Sequence, residues 1–306
     1  MVLILSNKND FTTNLVQDWL YYYGKEVTRI NNYITELNFK TDNISIKSET
    51  DEQINLDDIK SFWYRKGRVI KPVNTNHQTI KSEFEITEGY ISYLLSDKKG
   101  IGRYKQAMNL NKLIVLQIAK KNGLNIPNTF VLDNKDDLLN LLCENKDKKF
   151  ITKMKTESSM FQFDDTSSII YTNVLNEKFI ESLPQRFAPS LIQEKIEKLM
   201  EIRTFFLHGK TWSMAIFSQN DDQTKDDYRR YNNKKPNRNT LFKLPKNLED
   251  KLCLVMNDLN LDTGSIDWIL TKDNQYYFLE VNPTGQFSNM SMTCNYPLEK
   301  IIAQKL

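Results

Sequence analysis

Residues 264–286 read GSIDWILTKDNQYYFLEVNPTGQ. Two apolar runs, SIDWIL and YYFLEVN, flank a polar turn built on TKDNQ, which is the pattern of an antiparallel hairpin. Side chains alternate along a strand, so Glu280 and Asn282, two apart, share one face of the second arm. Asp267 on the first arm can lie across from that pair. An Asp, a Glu and an Asn oxygen converging on one spot make a donor set for Mg²⁺, a hard cation that takes oxygen ligands and shares its shell with phosphate. A surface hairpin with outward polar residues is the other reading. Against it stands Asp267, set between Ile266 and Trp268 in a run that reads as buried, because a buried carboxylate needs a partner.

The rest of the chain limits what such a hairpin can serve. With 306 residues, two or three lobes around a shared site are expected. A composition of 40% hydrophobic and 11% aromatic residues supports a large core and excludes disorder. Lys and Arg number 42 against 39 Asp and Glu, a formal charge of +3, too even to mark a nucleic-acid binder. Cys143, Cys253 and Cys294 are far apart, and His77 and His208 are the only histidines, so neither a zinc site nor a disulfide framework is expected. The start, MVLILSNKND, lacks the basic segment of a signal peptide, and no stretch approaches the roughly 20 apolar residues of a membrane span. These features point to a soluble, cytoplasmic protein with no membrane partner.

Read from the N-terminus, MVLILS, a capped helix closed by Gly24, and KEVTRIN form a β-α-β unit, hence a parallel sheet. NISIKS and SFWYRKG read as further strands, and residues 80–95 as an amphipathic helix. LIVLQIAKKNGLNIPNTFVL is a helix closed by Gly123, with Pro127 leading into a strand. KFITKMK is a strand, and SSMFQFDDTSSIIYTNVL a hairpin turning on DDTSS. HGK turns a second hairpin. Residues 220–240 are so polar that they read as a long loop without a fixed core.

Lysines are uncommon in apolar strands, yet Lys153 lies in FITKMK. Aimed into a cleft it is a point charge for phosphate oxygens; the nearby KDKK run equally suits an edge-strand lysine. Lys112, at the start of a helix, has the same two readings. The order of these features along the chain says more than any one of them.

In that order, NKLIVLQIAKKNGLNIPNTFV, FITKMK, LIQEKIEKLMEIR, GSIDWIL and FLEVNPTGQF resemble the ATP-grasp ligases. ITKM, QEKI, EIR, DDYRR and LEVNPTGQF are similar to signatures of the graspetide (microviridin-type) peptide maturases. The N-terminal ILSNKNDFTTNLVQDWLYYYGKEVTRIN and FWYRKG resemble the grasp-with-spasm branch. The resemblance implies an α/β fold with an N-terminal parallel β-α-β lobe and two lobes clamping ATP. It divides the chain into residues 1–105, 106–190 and 191–306. Lys112 and Lys153 match its phosphate-binding lysines, and Gln193, Glu194, Lys195 and Ile196 its adenine hinge. Glu201 falls where an acidic residue meets the ribose, and Asp267, Glu280 and Asn282 match the ligands of Mg²⁺. The loop after Lys153 lacks the glycines many relatives carry there, leaving Ser158 and Ser159 as candidates to cover the phosphates.

The implied reaction is ATP-dependent. A side-chain Asp or Glu carboxylate of a ribosomal precursor peptide is activated as an acyl phosphate, then attacked by a hydroxyl or amine of the same peptide to close a macrolactone or macrolactam. Such chemistry asks the enzyme to neutralise and position phosphates rather than to supply a nucleophile. Arg203, in EIRTFF, is the first candidate to meet the developing charge, and Arg230, in DDYRRY, the second; Arg229 and Arg230 also fit a solvated charge run. Residues 163–186 are the candidate docking surface for the precursor's leader, with Phe161, Phe163 and Tyr171 fitting either that surface or the core. The resemblance also implies a homodimer. A ligase joining a small amine or amino acid to a carboxylate is the alternative. A non-catalytic peptide-binding module fits less well, because Lys153, Asp267, Glu280 and Asn282 are all present.

Overall fold

The computed structural model describes all residues except 41–42, 155–159, 164–165, 170–171, 222, 225–226, 229 and 231, and the side chains of 160–163 and 166–169. The chain opens with β1 (Val2–Ser6), α1 (Phe11–Tyr22) and β2 (Val27–Asn31). Asp10 caps α1 through the Thr13 amide, and Gly24 takes a positive φ of 66° just past its end. β1 pairs in parallel with β2 and with β6 (Ser61–Tyr64), which pairs in parallel with β7 (Lys99–Ile101) beyond α2 (Gln78–Ser96). The expected parallel unit is therefore present. NISIKS is a strand, but not of that sheet. As β4 (Asn43–Lys47) it sits between β3 (Glu36–Lys40) and β5 (Gln53–Asn55) in a separate antiparallel sheet, because so few residues separate the three that neighbours must run in opposite directions.

After α3 (Tyr104–Met108) and α4 (Lys112–Lys121) comes a sheet ordered β12-β9-β13-β8. Its strands are β8 (Thr129–Asn134), β9 (Phe150–Lys153), β12 (Asn173–Val174) and β13 (Arg186–Glu194). α5 (Lys135–Glu144) and α6 (Glu177–Ser182) accompany it; Leu138, Leu141, Phe150, Leu175 and Ile192 form its core. The expected hairpin is β10 (Met160–Phe163) with β11 (Thr166–Ile169), so Thr166, Ser167 and Ser168 belong to a strand rather than to the turn.

The last sheet runs β16-β15-β14-β17-β18, antiparallel throughout. It comprises β14 (Met200–Leu207), β15 (Lys210–Phe217), β16 (Arg238–Phe242), β17 (Thr263–Leu270) and β18 (Tyr276–Asn282), with α7 (Lys246–Asp258), α8 (Ser288–Cys294) and α9 (Leu298–Lys305). His208 and Gly209, both at positive φ, turn the β14–β15 hairpin.

Two cores tie the sheets together. Val115, Leu116 and Ala119 of α4 pack with Ile202, Phe206, Ile266, Trp268 and Phe278, so α4 lies on the C-terminal sheet. Val2, Val16 and Leu20 of the N-terminal lobe share a core with Phe205, Met214, Phe287, Leu298 and Ile302. The loop of residues 220–237 departs from its polar sequence: Thr224 and Asp227 are buried, and Tyr228 packs on the second of these cores. No described helix is long and apolar enough to cross a membrane.

Candidate active site

The site grows from a break in the β17–β18 ladder. Trp268 stands opposite Phe278, ring centroids 5.3 Å apart in an edge-on contact within the core. Strict alternation from Phe278 would send Glu280 to that same core face. A bulge between Asp267 and Trp268 sets Leu279 and Glu280 together opposite Asp267, and turns Glu280 to the other face. From there Asn282 follows on the same face, paired with Ser265. Ile266 and Val281 take the core side, 0% and 4% exposed, so the carboxylates stand on a solvent-reachable face backed by a dry core.

Arg203 of β14 is the cross-strand neighbour of Asp267 on its other side. Its Nη1 donates to Asp267 Oδ1 at 3.0 Å and Oδ2 at 3.2 Å, and to the Tyr228 hydroxyl oxygen at 2.8 Å. Burial works against the Arg203 charge, but Asp267, Tyr228 and Glu280 outweigh it and hold the guanidinium above the ordinary Arg value. Asn282 Oδ1 accepts from Thr284 N at 3.0 Å, which fixes the amide's orientation. The two carboxylates and the amide oxygen are a hard-oxygen set on one face and fit Mg²⁺. They form no cluster of three acidic, His or Cys groups; the third donor is an amide.

Lys112 is the first residue of α4, placed there by Asn111, whose Oδ1 accepts from Leu113 N at 2.9 Å and Ile114 N at 3.4 Å. Its ammonium reaches Glu280 Oε2 at 2.9 Å and Met154 O at 3.5 Å. That one side chain joins β18 to the end of β9, the strand that carries Lys153. Phe150 belongs to the central sheet's core, so alternation puts Lys153 on the opposite face with Ile151.

The predicted hinge lies at the end of β13. Gln193 is 1% exposed and donates through Nε2 to Thr129 Oγ1. Glu194 pairs with Lys148 at 3.3 Å and accepts from Asn128 Nδ2 at 2.6 Å. These two side chains are thus committed to the central sheet. Lys195 N donates to Lys149 O at 2.7 Å, and residues 195–199 cross to β14. Glu201 of β14 is buried and ion-paired with Lys198. Burial, with help from Asp267 and Asp227, pushes its carboxyl up to about 7 despite the Lys198 ammonium beside it. Its Oε2 is buried without a hydrogen-bond partner among the described residues, an acceptor that a ribose hydroxyl would satisfy.

Arg230 points to the central sheet: Nη2 donates to Thr172 O and Asn173 Oδ1, both at 3.0 Å. Ser158, Ser159, Tyr171 and Arg229, and the side chains of Phe161 and Phe163, lie outside the described residues.

Several neighbours of the site have partners that the sequence alone does not announce. Lys198 and Tyr228 lie in stretches that carry the resemblance, LIQEKIEKLMEIR and DDYRR, but their contacts come only from the fold. Arg65, 3% exposed, donates to Thr284 O, pairs with Asp10 Oδ2 at 3.4 Å and lies over the Phe287 ring. Lys66 also reaches Asp10, at 3.3 Å, while Gln286 bonds Asp10 and Thr12. Burial raises the Asp10 carboxyl, but Arg65, Lys66 and the Thr13 amide together bring it below its ordinary value. The N-terminal lobe is thereby fastened to the loop after Asn282. Gly285 is the one member of this set with a readable cue, a glycine two residues after Pro283: a Cβ there would come within 2.5 Å of Ser265 Cβ and 3.0 Å of Arg203 Nη2.

No family model matches this sequence, and no curated protein does. Solved structures do. The macrocyclase MdnC of Microcystis aeruginosa MRC, bound with precursor peptide MdnA, superposes with a TM-score of 0.81 at 24% identity, over 99% of this chain and 98% of that one. A RiPP-associated ATP-grasp ligase of Chryseobacterium gregarium, in complex with ADP and a leader and core peptide, gives 0.76 at 25% identity over 99% and 95%. The macrocyclase MdnB of Microcystis aeruginosa MRC gives 0.76 at 21% over 99% and 97%. The expected α/β architecture is the architecture of these proteins.

Proposed function

We propose that this chain, which has the ATP-grasp fold, is an ATP-dependent ligase that matures a ribosomal precursor peptide, a graspetide maturase. It activates Asp or Glu side chains as acyl phosphates and closes macrolactone or macrolactam crosslinks. One observation carries this reading most directly. The Lys112 ammonium lies between Glu280 and Met154, so the metal-ligand hairpin and the lysine-bearing strand β9 converge on one place. That contact supports reading Lys112, Glu280 and the end of β9 as parts of one site. The peptide as substrate is supported by MdnC, bound with a precursor peptide, and by the Chryseobacterium ligase, in complex with a leader and core peptide.

In this reading Asp267, Glu280 and Asn282 hold Mg²⁺, which neutralises phosphate charge when bound. Lys112 and Lys153 meet phosphate oxygens, and Lys112 exchanges its ion pair with Glu280 for that role. Residues 193–196 border the adenine and Glu201 the ribose. Arg203, fixed at the edge of the carboxylate pair, faces the charge that develops on the acyl phosphate. Arg230 stands on the peptide side, beside residues 172–173. We retain three lobes, 1–105, 106–190 and 191–306. Two details come from packing: α4 rests on the C-terminal sheet, and β13 runs on to Glu194 before the connector. A homodimer in the cytoplasm is part of the proposal.

The test is peptide-dependent ATP hydrolysis, with a short precursor peptide rich in Thr, Asp, Glu or Lys as substrate. Glu280→Gln is expected to lower the rate roughly a hundredfold or more, since it removes a carboxylate from the metal set. Unchanged hydrolysis in that variant would refute the metal assignment. Hydrolysis driven by a small amine or amino acid instead of the peptide would favour the small-substrate ligase.

A further inference from the structure

The loop between β15 and β16 does more than its polar sequence announces. Asp227, 5% exposed, accepts through Oδ2 from Thr172 N at 3.2 Å. Arg230 donates to Thr172 O and Asn173 Oδ1, each at 3.0 Å. Asn173 opens β12 and pairs with Thr152, next to Lys153. The residues on either side of Tyr228 therefore grip the central sheet at one place. Tyr228 itself turns the other way, packs on the core around Phe205 and Phe287, and receives a hydrogen bond from Arg203 Nη1 at 2.8 Å.

Nη1 has two protons. One is directed to Asp267, at 3.0 and 3.2 Å, and the other to Tyr228. A guanidinium is planar, so fixing both protons of one nitrogen between a carboxylate and a phenol sets the plane of the whole group. Asp267 alone would leave rotation about that contact. Gly285 closes the remaining side, its Cβ position only 3.0 Å from Arg203 Nη2. Burial keeps the Tyr228 hydroxyl protonated, its affinity for the proton above the ordinary Tyr value.

We propose that Tyr228 is a positioning residue for Arg203: its hydroxyl sets the plane in which the guanidinium meets the reacting group, and Asp227 and Arg230 hold it there by anchoring the loop to β12. The role given to Arg203 rests on the ligase reading above, whereas the Tyr228–Arg203 contact does not.

Tyr228→Phe tests this in the full chain, because it removes the hydroxyl and keeps the ring. In nucleotide-free protein with labelled arginine, the two Nη nitrogens of Arg203, assigned with Arg203→Lys, are expected to give separate resonances. In Tyr228→Phe they are expected to merge as the group rotates. Peptide-dependent ATP hydrolysis should lose about tenfold in kcat, the effect of one lost hydrogen bond in the transition state, with KM for ATP moving less than about twofold. In the Arg203→Lys background, Tyr228→Phe should add nothing further. Separate resonances persisting in Tyr228→Phe, or independent effects that multiply in the double variant, would overturn the proposal. Absence of hydrolysis in the unaltered enzyme would sink the ligase reading, and the resonances would still decide the contact.

Discussion

Glu280 shows how much a single residue's surroundings decide. In sequence it is a carboxylate between apolar neighbours; in the fold it faces Asp267, and Lys112 is ion-paired to it at 2.9 Å. The spacing of Glu280 and Asn282 made their shared face legible, since alternation is a local rule. Their relation to Asp267 was legible because one tight turn joins the two arms. Tyr228 and Lys198 lie in stretches that carry the resemblance, but their roles were not legible, because each depends on a partner brought by folding. Gly285 carries a testable residue-scale consequence. Gly285→Ala would force a methyl group to within 2.5 Å of Ser265 Cβ. Urea unfolding is expected to show a loss of about 1–3 kcal/mol with an unchanged m-value. Wild-type stability in that variant would show that the approach is not tight.

At the scale of elements, the bulge in β18 and the cap of α4 place the chemistry. The bulge reconciles two demands that simple alternation cannot meet, Phe278 against Trp268 and Glu280 against Asp267. No sequence rule marks it, which is why the hairpin was readable and its irregularity was not. The separate β3-β4-β5 sheet was hidden similarly: NISIKS has strand character, but strand character does not name a partner. The α4 cap was foreshadowed by Asn111 ahead of an apolar helical run. Asn111→Ala should destabilise the protein by about 1 kcal/mol. Because Lys112 is the next residue, the KM for ATP should also rise several-fold. A change in thermal stability with no change in KM would separate the helix start from nucleotide binding.

Across the whole molecule, the N-terminal lobe and the C-terminal sheet are held by a common core and by the Asp10–Arg65–Thr284 contacts. Asp10 is 2% exposed and Arg65 3%, so removing one charge leaves the other buried. Asp10→Asn is expected to lose about 3–5 kcal/mol at neutral pH. The Asp10 carboxyl titrates below its ordinary 3.8, so its contribution is present above that pH and lost as the pH falls through its lowered value. Denaturation of both proteins should therefore show a gap at pH 7 that narrows towards pH 3, and a gap independent of pH would contradict the ion-pair account. The β-α-β opening and many of the later strands were legible, but the fastening of the first sheet to the last depends on residues nearly 280 positions apart, such as Thr12 and Ser288. The proposed activity is dehydration of a peptide at the expense of ATP. It is tested most directly by the mass of a Thr-, Asp-, Glu- or Lys-rich precursor peptide after incubation with the enzyme, ATP and Mg²⁺. Loss of one water for each ring closed, dependent on ATP, is expected. A peptide of unaltered mass alongside ATP that is consumed for another acceptor would contradict it.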